Sequence, residues 1–236
     1  MSEQMGEQVP LRPLMRAKQN EEGKKRSIQH LSLETIAERL SEQLRGAQED
    51  LCRPIVQQVT RGKPVTSAAL RGSLRVSQSE LEQRLARLPS DAEFDLAGNI
   101  VGLGVTLVPT SYRVQVGGKL LYTWCAFDTV LLPPQLGVEA QVQSTCPVSG
   151  QPITFVATLE GTILDLLPAG SVLSLIVPAE RGDCTRATFC QQSRLFQSEQ
   201  AAKTFLVGRP DALLLSVEEA AHVGRLVAQC CSKDVI

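Results

Sequence analysis

Apolar residues recur along this chain at two different spacings, and the change between them separates its helical part from its strands. Leu33, Ile36, Ala37, Leu40 and Leu44 follow three- and four-residue intervals, which predicts an amphipathic helix. A short second helix is expected from Pro54, a good first-turn residue, through Val59 to an end near Gly62. Thr66 is placed to cap a third helix in which Leu70 packs back on Val65. Ser77 and Glu80 have the spacing of a capping box, with Val76 and Leu81 as its hydrophobic staple, and this fourth helix should stop at Pro89.

Beyond that point the period falls to two. Phe94 to Leu120 reads as strands, with a turn at Ala97-Gly98-Asn99. A Gly117-Gly118 hairpin joins Tyr112–Val116 to Lys119–Tyr122. Val138, Ala140 and Val142 alternate with polar residues, as do Ile153, Phe155 and Ala157, and Cys146 to Gly150 turns the chain between them. Val172 to Val177 reads as a buried strand. Ser216 and Glu219 form the capping box of a last helix running to Cys231, with Val223, Val227 and Cys230 on one stripe. Residues 1–30 mix charge, Gln and Pro without periodicity and read as a polar tail. The expected fold is α+β: a winged-helix-like helical unit over residues 31–122, then a mainly antiparallel sheet domain with flanking helices over 123–236.

Composition narrows the function classes. Hydrophobic residues make up 43% of 236, enough for a core without metal or disulfide staples. The formal net charge of −1 gives no global case for nucleic-acid or membrane binding. The helix after Ser77 offers Arg84 and Arg87 but also Glu80 and Glu82, a weak basic excess for a groove reader, so no nucleic-acid partner is expected. The longest apolar runs, Ser171–Pro178 and Leu213–Val217, fall far short of the ~20 residues that cross a bilayer. With no apolar export signal in the polar tail, a cytoplasmic protein is expected.

Seven cysteines, an odd number, and no C-x-x-C pair point to reduced thiols rather than a disulfide framework or zinc ribbon. Only His30 and His222 are present, neither near another obvious ligand, so histidine-based hydrolysis is a poor fit. Chemistry therefore falls to Cys, Asp or Glu. In Thr123-Trp124-Cys125-Ala126-Phe127-Asp128, a helix capped by Thr123 and ended at Pro133-Pro134 would set Cys125 and Asp128 side by side. A thiol beside a carboxyl can handle a proton, although the same spacing suits a core thiol and a solvated helix carboxylate. Phe189-Cys190 offers a second thiol, with Arg186 upstream.

Taken together, these stretches resemble the organomercurial (alkylmercury) lyase family. The resemblance rests on Trp124-Cys125-Ala126-Phe127-Asp128, then Ser144-Thr145-Cys146, then Ser174 to Pro178 leading to Phe189-Cys190, and on Gly98 to Gly102, Gly104 to Leu107 and Thr110 to Tyr112 upstream. It covers about Pro54 to Cys190. By resemblance, Cys125, Cys190 and Asp128 are the catalytic groups and the mercury ligands, and Cys146 is a structural thiol. Trp124, Phe189 and Tyr122 would wall the pocket, with Arg186 beside them. Two departures stand out: Gln191 replaces the second of two adjacent cysteines in many members, and Cys184 is an extra thiol. The family needs no cofactor beyond external small-molecule thiols and hands Hg(II) to mercuric reductase, which the resemblance implies as a partner here. Cys184, Cys230 and Cys231 are further thiols open to a part in capture. A soft-metal-responsive winged-helix regulator, or a metal carrier, would use the same residues without breaking a bond.

The expected chemistry is protonolysis of a carbon–mercury bond. Thiolate is the softest anionic ligand a protein offers to Hg(II). Cys125 would lose its proton to Asp128 on binding R–Hg⁺, Cys190 would add as second sulfur, and Asp128 would protonate carbon. An ordinary Asp, of pKa about 3.9, is protonated roughly once in a thousand at pH 7, a shortfall of about 4 kcal/mol that the fold must remove.

Overall fold

The computed structural model describes residues 31–44, 49–86, 92–177, 186, 189–209 and 211–232. The expectations for the tail, for Arg87, Leu88 and Pro89 and for Cys184 lie outside the described residues. Among the described residues four helices come first: α1 (Leu33–Leu44), α2 (Glu49–Val59), α3 (Ser67–Leu74) and α4 (Gln78–Leu85). Ile36, Ala37 and Leu40 form the buried face of α1. Helix α2 starts five residues before the expected Pro54, which sits inside it. Leu51, Ile55 and Val59, all fully buried, recur at four-residue intervals on one face, and that stripe outweighs one missing N–H. Thr66 caps α3 by accepting the Ala69 N–H, and Ser77 caps α4 by accepting the Glu80 N–H. Glu80 does not close the capping box; its carboxylate pairs instead with Arg84.

An eight-stranded antiparallel sheet follows, in the order β1-β2-β3-β5-β4-β6-β7-β8. Its strands are β1 (Glu93–Phe94), β2 (Ile100–Leu103), β3 (Val105–Thr106), β4 (Tyr112–Val116), β5 (Lys119–Thr123), β6 (Ala140–Thr145), β7 (Pro152–Ala157) and β8 (Ile163–Leu167). Gly117 and Gly118, both at positive φ, turn β4 into β5 with Val116 opposite Lys119, as the sequence predicts. In β6 strict alternation sends Ala140, Val142 and Ser144 inward and Gln141, Gln143 and Thr145 outward. A bridge between Val65 and Ile100 ties the helical unit to the sheet.

Helix α5 (Asp128–Leu136) crosses from β5 to β6. The three-stranded sheet β10-β9-β11 joins β9 (Val172–Ile176), β10 (Arg194–Phe196) and β11 (Ala212–Ser216). A 3₁₀ turn (Cys190–Gln192) precedes β10, and α6 (Glu199–Phe205) follows it. The last helix, α7 (Val217–Ser232), begins with the expected reciprocal cap: Glu219 N–H to Ser216 Oγ, Ser216 N–H to the Glu219 carboxylate. It packs against α5 and α1. The architecture is thus the expected α+β arrangement, a helical unit followed by antiparallel sheet with flanking helices. No helix among the described residues is long and apolar enough to cross a membrane.

Two local expectations need correction. Thr123 does not cap a helix; it ends β5, paired with Val105 and Tyr112, and its hydroxyl donates to the Cys125 carbonyl. Pro133 and Pro134 do not end α5 but lie within it, and the helix closes at Gly137 in the left-handed region. The Val130 carbonyl, four residues before Pro134, gets no helical N–H from it. Gly224 of α7 packs closely against that carbonyl.

Candidate active site

Three side chains from two chain segments meet at one point. Cys125 lies in the loop between β5 and α5, Asp128 opens α5, and Cys190 opens the 3₁₀ turn before β10. The two sulfurs and a carboxylate oxygen lie within 4.8 Å of one another. Cys125 and Asp128 are near neighbours because the loop folds back: the Cys125 N–H donates to Asp128 Oδ2 at 3.1 Å. Their adjacency was legible from spacing, although the loop and not a helix turn produces it.

Burial sets the electrostatics. Cys125 is fully buried and Asp128 nearly so, while Cys190 is half-buried. One side of Asp128 faces an apolar seam that includes Val105, Val114, Leu132 and Ala140. Burial raises the Asp128 pKa to about 7 against hydrogen bonds from the Cys125 side chain and backbone and the charge of Arg186, which work to lower it. Burial likewise pushes the Cys125 thiol well above its usual value, helped by its hydrogen bond to Cys190 and by the charges of Asp128 and Cys190. At neutral pH Cys125 is therefore a thiol, and Asp128 is poised between acid and base.

An open cleft of about 500 Å³ leads to the cluster, lined by Tyr112, Trp124, Arg186, Cys190, Ser193 and Arg194 among others. Cys190 faces it, and Cys125 lies behind. The Arg186 guanidinium stacks 5.2 Å from the Trp124 ring and pairs with Glu93, whose carboxylate also accepts the Thr106 hydroxyl. Gly102 makes room for that anchor: a Cβ there would lie 2.2 Å from Glu93 Oε2 and 2.6 Å from Thr106 Oγ1.

Of the residues named from sequence, Trp124 and Arg186 line the cleft beside Cys190. Phe189 instead packs edge-to-face on Phe127, centroids 6.0 Å apart, and is buried. Tyr122 is half-buried in β5 opposite Thr106 and Arg113 and does not line the cleft formed by the described residues. Cys146 begins the β6–β7 turn, its N–H bonded to the Gln151 carbonyl and its own carbonyl accepting from Gly150, apart from the three-residue cluster. Cys230 is half-buried on α7. Sequence reasoning did not single out Tyr112 or Ser193 at the site. Ser193 lies only three residues after Cys190, but its bonds to Phe127 and Tyr112 span 66 and 81 residues, which no local pattern marks.

The family described as MerB, alkylmercury lyase, matches residues 105–229, which hold all three clustered groups. The chain belongs to the alkylmercury lyase family. An alkylmercury lyase of Bacillus cereus is 35% identical over 177 residues, 75% of this chain and 80% of that protein. One from Pseudomonas putida is 36% identical over 180 residues, 76% of this chain and 84% of its own. A crystal structure of the mercury-bound form of MerB2 superposes with a TM-score of 0.70 at 22% identity, covering 85% of this chain and 98% of that one, a likeness of fold.

Proposed function

We propose that this member of the alkylmercury lyase family protonates the carbon–mercury bond of organomercury compounds, with Cys125, Asp128 and Cys190 as the catalytic groups. The observation that carries the reading is the convergence of two thiols and one carboxyl within 4.8 Å at the foot of a cleft. Soft sulfur ligands capture mercury, and a carboxyl with a pKa of about 7 both accepts and donates a proton at little cost.

The accessibilities reverse the order expected from sequence. Cys190 faces the cleft and meets R–Hg–X first, forming Cys190 S–Hg–R while its proton and X leave. Cys125, behind it, then attacks mercury as the Asp128 carboxylate takes its thiol proton. Mercury now holds two sulfurs, which raises electron density on the bound carbon. Asp128 delivers the proton to that carbon, R–H departs, and Hg(II) remains on both thiolates. Two thiol protons are spent: one leaves with X and the other ends on carbon. The roughly 4 kcal/mol shortfall of an ordinary aspartate disappears, since a group of pKa about 7 is half-protonated at neutral pH.

The cleft's Trp124 ring suits the organic group, and Arg186 holds that ring in place. Release of Hg(II) from a dithiolate requires exchange with external small-molecule thiols, and mercuric reductase is the proposed acceptor. A reducing cytoplasm is the matching location. The proposed division of roles places the chemistry in residues 123–236 and support in the winged-helix-like residues 31–122, with Cys146 a structural thiol of the β6–β7 turn.

The test is benzene release from phenylmercury in excess thiol. Wild type should turn over repeatedly, Cys125→Ser and Cys190→Ser should not, and Asp128→Ala should bind mercury but release almost no benzene. Full turnover by either serine variant would reject the assignment. A regulator or carrier would bind mercury and release no benzene.

A further inference from the structure

We propose that Ser193 is a positioning residue: it clasps the segment bearing Cys190 to the segment bearing Cys125 and Asp128, and so sets the distance between the two sulfurs. The inference rests on the catalytic reading above and extends it to a residue outside the reacting groups.

Ser193 uses every polar atom it has in this role. Its N–H donates to the Cys190 carbonyl at 3.2 Å, closing the 3₁₀ turn. Its Oγ accepts the Phe127 N–H at 3.0 Å. Its carbonyl accepts the Ala126 N–H at 3.4 Å and the Tyr112 hydroxyl at 3.2 Å. Ala126 and Phe127 are the two residues between Cys125 and Asp128, so one side chain and one peptide fix the whole Cys125–Asp128 loop. Ser193 is 1% exposed, and water does not substitute for these bonds.

The need for such a clasp follows from topology. Cys190 sits on a single 3₁₀ turn 65 residues after Cys125, and the strand that follows it, β10, pairs with β9 in the smaller sheet. Cys125 and Asp128 instead leave from β5 of the larger sheet. Two-sulfur capture of mercury demands that these frames stay registered to within a fraction of an ångström. Tyr112 completes the device from β4. Its hydroxyl donates to the Ser193 carbonyl at 3.2 Å from a buried position, tying the larger sheet to the same clasp.

The experiment compares Ser193→Ala, Ser193→Thr and Tyr112→Phe with wild type in steady-state phenylmercury assays with excess thiol. Thermal melting and the mercury–thiolate ultraviolet absorption of the Hg(II) product are read in parallel. Ser193→Ala should lose tenfold or more in kcat, towards the roughly hundredfold loss a 1 Å misplacement can give, with KM little changed because Cys190 still faces the cleft. Its product spectrum should move from two-sulfur to one-sulfur character. Ser193→Thr, which keeps the hydroxyl, should recover most of the rate, and Tyr112→Phe should lose a few-fold. A folded Ser193→Ala with wild-type kcat and an unchanged two-sulfur spectrum overturns the clasp, as does a Thr variant no faster than Ala. If Ser193→Ala does not fold, Tyr112→Phe decides: wild-type kcat overturns the clasp, and a few-fold loss at unchanged melting temperature supports it. A wild type that releases no benzene sinks the catalytic reading itself, whereas wild-type turnover matched by Ser193→Ala sinks the clasp alone.

Discussion

The Cys125 backbone N–H donates to Asp128 Oδ2 at 3.1 Å, so the residue that supplies one sulfur also orients the carboxyl that takes its proton. Because this bond favours the ionised carboxyl and burial favours the neutral one, the contest leaves Asp128 near pH 7. That balance has a consequence for stability. Between about pH 4 and 7 the folded chain keeps a proton on Asp128 that the unfolded chain has lost. Stability therefore falls as pH rises through this window and stays at the lower level above it. Asp128→Asn removes the penalty while keeping an acceptor for the Cys125 N–H. Urea unfolding should show the variant more stable than wild type at pH 8, by up to roughly 4 kcal/mol, and level with it below pH 4. An equal offset at both pH values would contradict the buried-carboxyl account.

Arg186 lowers the Asp128 pKa through its charge while stacked on Trp124 and paired with Glu93. The competent pair is Asp128 carboxylate with Cys125 thiol, so the single-turnover rate should rise with pH through about 7. Arg186→Met removes the positive charge and should move that limb upward. About a third of the Arg186 side chain is exposed, so screening keeps the displacement to roughly half a pH unit or less. A downward displacement would contradict the arrangement.

Two glycines should respond to alanine with opposite signs. A Cβ at Gly224 would lie 2.8 Å from the Val130 carbonyl oxygen and 3.2 Å from Leu131 Cα, backbone atoms that cannot swing aside. Gly224→Ala should therefore push α7 off α5, lose about 1–3 kcal/mol and, because α5 begins at Asp128, lower kcat. A Cβ at Gly72 in α3 would meet nothing within 4 Å, so Gly72→Ala should gain up to about 1 kcal/mol with activity unchanged. Thermal melting of both variants checks the pair.

These elements also mark what was legible in the sequence. Caps are local chemistry, and Thr66, Ser77 and Ser216 each cap as their spacing predicts. The Gly117-Gly118 hairpin is equally local. Thr123 misled because strand pairing with Val105 and Tyr112 claims it before any helix begins. Pro133 and Pro134 misled because α5 is buried along Asp128 to Pro133, and its packing, with Gly224 at Val130, outweighs the lost N–H groups. Spacing set Cys125 beside Asp128 without deciding between a proton-handling pair and a core thiol with a solvated carboxylate; the catalytic assignment of both, and of Cys190 65 residues on, came through family resemblance. Neither route pointed to Tyr112 or Ser193 as residues of the site, although Tyr112 belongs to the stretch Thr110 to Tyr112 that carries part of the resemblance. Their role appears only where two sheets bring β4, the Cys125 loop and the 3₁₀ turn together.

The central claim is that both sulfurs hold one mercury atom after a single turnover. X-ray absorption at the mercury edge, on enzyme reacted with one equivalent of phenylmercury and freed of external thiol, reads this directly. The account predicts two sulfur neighbours in wild type and one in Cys190→Ser. A single sulfur in wild type, or two that persist in Cys190→Ser, would contradict it.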